Sequence, residues 1–219
     1  MVDFSVIVPV YNKSELTLQF IRDVASHLTN GELILVDNNS RDVLNPIILK
    51  NFLGAKYVPL NLTQNYGFGI ANNCGAKEAK GEYLFFTSND VRINGDCFQP
   101  IINILKDEDV LIGQEIVDWN SGWNTYQECG TISYVQGYFM ACRKQSFFDI
   151  GMFWDQLWLD MEDLELSYRW TQSNRKLIAM KNLPIYHLGG QTAKDIPDGR
   201  LKITLESQKK VMDKYGWHK

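Results

Sequence analysis

Apolar and polar positions alternate in blocks along the first half of the chain. Residues 4–10 (FSVIVPV) form a near-continuous apolar run rich in β-branched side chains, which predicts a buried strand. Pro9 falls near its end, where a lost ladder donor is tolerable. A helix is expected next. Asn12 and Glu15 have the spacing of a capping box, and Leu16, Phe20, Val24 and Leu28 recur at i, i+4 to make one apolar face. Residues 33–36 read as a second strand ending at Asp37, 46–53 as a second helix and 56–60 as a third strand. Residues 67–80 predict a helix rich in small side chains (Gly69, Ala71, Gly75, Ala76, Ala79). It can lie close against a sheet or let a ligand approach its backbone. Gly81 is the expected C′ residue of that helix. A fourth strand is expected over 83–87, and Phe98, Ile101, Ile102 and Leu105 mark another amphipathic helix.

The second half is less regular. Residues 110–117 and 133–142 read as strands around a polar loop at 119–128. A short helix over 160–171, strands at 176–180 and 185–187, and a closing helix over 200–214 follow. Alternating strands and helices predict an α/β class. The expectation is a single domain over 1–219 with a mostly parallel central sheet flanked by helices and a less regular C-terminal half.

Composition narrows the chemistry. The net charge of −4 argues against nucleic acid or an anionic membrane as the main partner, while leaving room for a local phosphate pocket. No apolar run approaches the ~20 residues of a spanning helix, and the first residues lack the basic and apolar regions of a secretory signal. Cys74, Cys97, Cys129 and Cys142 form no C-x-x-C pair, so a reducing compartment is expected. The sequons at Asn38 and Asn61 are then chance matches.

Ligands of open α/β sheets sit beyond the carboxyl ends of the strands. Asp37, Asp90 and His187 all end predicted strands. Two carboxylates and an imidazole on one edge suit a divalent ion such as Mg or Mn. The run Asp160-Met161-Glu162-Asp163-Leu164-Glu165 is flanked by Phe153, Trp154, Leu157 and Trp158. An acidic first turn complements a helix dipole. Carboxylates beside large rings also acquire the raised pKa that a general base needs. The pair at Gly67 and Gly69 is not a dinucleotide fingerprint. The third glycine position is Asn72, the motif does not follow the first strand, and residues 10–14 hold no phosphate-binding glycines.

These segments, in this order, resemble the inverting, nucleotide-sugar-dependent glycosyltransferases of the GT-A fold, family two. The likeness runs from about residue 4 to 192. It rests on Val6-Ile7-Val8-Pro9-Val10-Tyr11-Asn12, on Val36-Asp37-Asn38-Asn39-Ser40-Arg41-Asp42, and on the run from Asn65 to Gly75, which is similar to N-x-G-F-x-x-x-x-N-x-G of the rhamnosyltransferase-like branch. Ser88-Asn89-Asp90, the strand from Gly137 to Arg143, Glu162-Asp163 and His187-Leu188-Gly189-Gly190 complete it.

The resemblance implies a Rossmann-like GT-A core, with residues 1–95 binding the nucleotide sugar and 96–219 supplying acceptor contacts and the base. It implies nucleotide contacts from Pro9, Val10, Tyr11, Asp37, Asn38, Asn65, Gly67, Asn72 and Asn89. Asp90 and His187 would hold a divalent ion, Mn or Mg, on the diphosphate. Asp163 would be the general base, with Glu162 assisting. The partners implied are a nucleoside-diphosphate-sugar donor and a saccharide or glycoconjugate acceptor, with no nucleic acid. Trp119, Trp123, Trp154 and Trp158 are candidates for an acceptor platform, since sugar faces stack on rings. The chain departs from the family at Ser88 and Asn38, where relatives often carry aspartates. The ion would rest on Asp90, His187, donor phosphates and water, and the Asn38 amide could pair with a base edge. The glycine run leans toward deoxythymidine-linked rhamnose or uridine-linked hexoses. A cytoplasmic enzyme, in peripheral contact with a membrane through partners or acceptor, is the expectation. Competing readings are a non-catalytic nucleotide-sugar-binding protein and a sugar-phosphate nucleotidyltransferase. The latter is disfavoured by the absent glycine-rich basic loop at 10–14.

Overall fold

The computed structural model describes residues 2–42, 44–119, 131–191 and 200–217. Trp123 and Cys129 lie outside the described residues. The chain begins with β1 (Phe4–Val10), α1 (Ser14–Val24), β2 (Gly31–Asp37), α2 (Pro46–Leu53), β3 (Tyr57–Asn61), α3 (Phe68–Glu78) and β4 (Tyr83–Thr87). It continues through β5 (Val91–Ile93), α4 (Phe98–Asp107), β6 (Val110–Gly113), β7 (Ile116–Trp119), β8 (Ile132–Val135), β9 (Phe139–Arg143) and α5 (Lys144–Asp149). It ends with α6 (Glu162–Gln172), β10 (Lys176–Ala179), β11 (Ile185–His187) and α7 (Arg200–Tyr215).

Among the described residues seven strands form one sheet, in the order β10-β6-β9-β4-β1-β2-β3. β1 pairs in parallel with β2 and β4, β2 with β3, and β6 with β10. β9 runs antiparallel between β4 and β6. The mostly parallel α/β sheet is therefore as expected. β1 shows why its apolar run is continuous. Phe4, Val6, Val8 and Val10 face α1 and α4, while Ile7 faces α3, so both faces are covered. On the α1 side Phe20, Val24 and Leu28 are fully buried, as the helical spacing predicts, and Leu16 is half-buried. On the other side the small residues of α3 allow a close approach. A Cβ on Gly75 would sit 2.5 Å from Ile7 Cγ2.

Several local expectations fail for physical reasons. Asn12 does not cap α1. Lys13 is the cap residue, in a left-handed conformation (φ 57°), and the Asn12 side chain accepts the Arg41 N–H at 2.8 Å. Gly81 is not a C′ glycine, since α3 ends at Glu78. Gly81 is needed because a Cβ there would lie 2.4 Å from the Phe4 backbone. The runs 110–117 and 133–142 each split into two strands. β7 and β8 leave the main sheet to pair with each other, and β6 and β9 stay in it. The breaks fall at the polar pair Gln114-Glu115 and at Gln136-Gly137-Tyr138, and the apolar residues on either side of each belong to different sheets.

A third apolar cluster of Ile132, Leu157, Leu164, Val211, Met212 and Trp217 seats α7 against α6 and the β7–β8 ribbon. Fully buried Glu165 bolts it there. It accepts hydrogen bonds from Arg169, from Lys214 Nζ at 2.6 Å and from Tyr215 Oη at 2.7 Å. Burial alone would raise its pKa, but these bonds outweigh burial and hold it below the usual value. Among the described residues no helix is long and apolar enough to cross a membrane.

Candidate active site

A cleft of about 660 Å³ opens beyond the carboxyl ends of β1 and β4. Three corners of it carry chemistry.

The first corner is a set of interlocked turns. Asn12 N donates to Ser40 Oγ and Ser40 N donates to Asp37 Oδ1, both at 2.8 Å, tying the turn after β1 to the turn after β2. Pro9, Val10 and Tyr11 line the cleft, whereas Asp37 is not among its lining residues. Asn38 lines it but its amide is fully engaged. It donates to Asn65 Oδ1 and Gly67 O and accepts from Tyr66 N. The structure thus assigns Asn38 to holding the 65–67 turn rather than leaving it free for a base edge. Gly67, at φ 85°, lies under the Trp158 carbonyl. Phe68 N donates to that carbonyl at 3.1 Å, and the Trp158 indole donates to Asn65 O at 3.0 Å. Asn72 lies outside the lining, fully buried, with its Oδ1 unpartnered among the described residues. Its neighbour Asn73 makes the structural link, bonding Phe153 N and O across 80 residues of sequence.

The second corner follows β4. Buried Asp90 receives Ser88 Oγ at 2.5 Å and Gln191 N at 3.1 Å, and His187 Nε2 lies 3.3 Å from its Oδ1. β11 pairs antiparallel with β5, placing His187 opposite Val91. Burial works to raise the Asp90 pKa, but the bonds from His187, Ser88 and Gln191 overcome it and bring it to about 2. Asn89 lines the cleft while its Nδ2 donates to Thr17 Oγ1 of α1 at 2.9 Å.

The third corner is the start of α6. Asp160 and Met161 both adopt left-handed backbone (φ 63° and 74°), a strained entry that turns Glu162 and Asp163 into the cleft. Asp163 accepts Gly137 N and Leu164 N, each at 2.8 Å. Burial outweighs these bonds and raises its pKa to about 6. Burial, then the Asp163 charge, raises buried Glu162 to about 8, and its Oε1 has no partner among the described residues. Near neutral pH this corner holds an ionised Asp163 beside a protonated Glu162.

Trp119 and Trp158 line the cleft. Trp154 does not; Lys214 Nζ sits 4.1 Å from its ring centre. The sequence reading missed Tyr134, Gln136, Tyr138, Arg200 and Thr204, which also line it. The Gly137 motif pointed near Tyr138, but nothing in the sequence marked Arg200. That arginine reaches the cleft only because α7 folds back, 3.7 Å from Asp160 Oδ1.

A donor cleft over the ends of a mostly parallel sheet, with a carboxylate–histidine corner facing an acidic helix start, is the arrangement of the GT-A class of folds. The profile described as Glycosyl transferase family 2 matches residues 5–164, and the chain belongs to that family. It is 34% identical over 128 residues to an uncharacterized glycosyltransferase of Rickettsia prowazekii, covering 53% of this chain and 38% of that one. It is 31% identical over 119 residues to the poly(ribitol-phosphate) beta-N-acetylglucosaminyltransferase TarS of Staphylococcus aureus, covering 51% of this chain and 21% of that one. The chain thus spans well under half the length of these relatives. In fold it is similar to GalNAc-T7, solved with UDP, GalNAc and Mn2+. The TM-score is 0.73 at 17% identity, over 96% of this chain and 48% of that one.

Proposed function

We propose that the protein transfers a sugar from a nucleoside-diphosphate sugar to an acceptor hydroxyl, in one displacement that inverts the anomeric carbon. The observation that carries this reading is one cleft lined both by Asp90 with His187 and by Asp163 with a pKa of about 6. Asp163 is the general base. Its carboxylate is fixed by two backbone N–H groups and takes the proton of the attacking hydroxyl. Protonated Glu162 supplies a hydrogen-bond donor to a sugar hydroxyl. Arg200 lines the cleft beside Gly190, its Nη1 3.7 Å from where a Cβ on that glycine would lie, and in this reading it offsets charge building on the diphosphate oxygens. The rings of Trp119, Tyr134 and Trp158 flank the acceptor.

Asp90 and His187 fit a divalent ion shared with phosphate. Their 3.3 Å separation is near the roughly 3.0 Å between adjacent ligands of a six-coordinate ion with bonds of about 2.1 Å. Among the described residues no group of three His, Cys, Asp or Glu side chains could hold a metal without the donor. When bound, Mn or Mg would offset negative charge on the diphosphate.

Nucleotide-binding residues are proposed at Pro9, Val10, Tyr11, Asn65 and Gly67, with Asp37 and Asn38 bracing the turns behind them. A cytoplasmic site of action, with contact to a membrane through the acceptor, completes the reading. Neighbours solved with UDP favour a uridine-linked donor as the first to test over a deoxythymidine-linked one.

The test is a panel of nucleotide sugars with Mn2+, followed by melting temperature and by nucleoside-diphosphate release. A UDP-sugar raises the melting point and is turned over. Release of pyrophosphate instead identifies a nucleotidyltransferase, binding without turnover identifies a sensor, and no shift at millimolar ligand removes the nucleotide reading altogether. Asp90→Asn is expected to weaken UDP binding in Mn2+ about tenfold or more, and to leave binding in EDTA unchanged, as measured by calorimetry. Equal affinities in Mn2+ would remove Asp90 from the ion site.

A further inference from the structure

Tyr138 touches both halves of the Asp90–His187 corner. Its ring stacks on the His187 imidazole, with centroids 4.4 Å apart and planes 14° apart. Its Oη donates to Gln114 Oε1 at 2.9 Å, and Gln114 Nε2 donates to Ile185 O at 3.1 Å, two residues before His187 on β11. Its backbone carbonyl accepts Ser88 N at 3.2 Å and Thr87 Oγ1 at 3.0 Å, at the root of the turn that presents Asp90. One residue in the turn just before β9 therefore fixes the face of the imidazole, the strand that carries it and the turn opposite. An exposed imidazole changes rotamer freely, whereas one pinned by a ring on its face keeps Nε2 aimed at Asp90.

We propose that Tyr138 is a positioning residue that aims His187 and thereby sets how tightly this corner binds a divalent ion. The proposal rests on the reading of Asp90 and His187 as ion ligands. It makes the turn between β8 and β9, far in sequence from Asp90, a determinant of ion affinity.

The experiment titrates MnCl2 into the full chain with saturating UDP and follows free Mn2+ by electron paramagnetic resonance. UDP binding in EDTA is measured in parallel. Tyr138→Leu, which removes the stacked face, is expected to weaken Mn2+ about tenfold and to leave UDP affinity in EDTA unchanged. Tyr138→Phe keeps the stack and should stay within roughly threefold of the parent. Wild-type Mn2+ affinity in a folded Tyr138→Leu protein overturns the proposal. So does an equal loss of UDP affinity in EDTA, which would mark a general packing role. If the leucine variant does not fold, Tyr138→Met decides instead. It removes the stacked ring while keeping apolar bulk against the imidazole, and undiminished Mn2+ affinity there overturns the idea. Failure of the parent protein to bind Mn2+ with UDP would instead remove the ion-site reading on which the proposal stands.

Discussion

Asp163→Asn should lower the rate of sugar transfer by roughly 10²- to 10⁴-fold while nucleotide binding survives. The carboxylate faces the cleft from the strained first turn of α6, and no other described carboxylate there combines a raised pKa with ionisation near neutral pH. Asp90 is ionised far below neutrality, and Glu162 stays protonated until about 8. The amide keeps the shape of the side chain but accepts one backbone N–H where the carboxylate accepts two, at a cost of about 1 kcal/mol. Removing a buried charge offsets part of that, so the variant remains folded. Donor-consumption assays with acceptor, beside calorimetry of UDP, separate the two effects. Full turnover by the variant would refute the assignment.

The parent enzyme's pH profile follows from the same group. A base must be deprotonated to act, and burial raises the Asp163 pKa to about 6. The rate of transfer should therefore climb about tenfold per pH unit below 6 and level off above it. The sign for stability is opposite. The folded state holds its proton up to about 6 and the unfolded chain releases it near 4. Stability contributed by this group is lost as pH rises through that window. A profile that levels off near 4 would mean the carboxylate is not buried when the enzyme works.

The second large effect is structural. Gly67→Ala should destabilise the protein by roughly 3 kcal/mol or more, a drop of roughly 6–12 °C in melting temperature for a chain of this size. Gly67 occupies φ 85°, ψ −179°, a region essentially confined to glycine. An added Cβ would lie 1.9 Å from the Trp158 carbonyl oxygen, which is backbone and already bonded to Phe68 N. It cannot move without releasing the Trp158–Asn65 bond and the Asn38 network behind the cleft. Nucleotide affinity should fall with stability. Gly69→Ala is the milder comparison, because its Cβ would meet Phe153 Cβ at 3.2 Å, an overlap of a few tenths of an ångström rather than a collision, and Gly69 has no left-handed backbone to strain. Similar melting temperatures for the two variants would show that the 65–67 turn is not the rigid floor described.

Much of the fold was legible because each short element must bury its own apolar face. β1, α2, β4 and β11 fall where the periodicity puts them, and α1, α3 and α4 lie within a few residues. Strands that change sheet were not legible. The runs 110–117 and 133–142 are apolar on both sides of a short break, and periodicity does not say that the strands on either side of it belong to different sheets. The site divides in the same way. Asp90, Glu162, Asp163 and His187 could be picked out as charged or titratable residues at strand ends and a helix start. Asn38 reads from the sequence as a nucleotide contact and Asn73 as part of a glycine-rich run, whereas the structure engages both amides with protein groups, since an amide's role depends on which groups it meets.

Sequence alone determined the α/β class, the order of the N-terminal elements and the candidates Asp90, Glu162, Asp163 and His187. These follow from local periodicity and from side-chain chemistry, which need no knowledge of distant neighbours. Tertiary structure alone decided that Asp163 has a raised pKa, that Asn38 is occupied, that Trp154 packs beside Lys214 rather than lining the cleft, and that Tyr138 and Arg200 reach it. Each depends on burial or on contacts between segments dozens of residues apart, and desolvation and stacking arise only when folding brings those segments together.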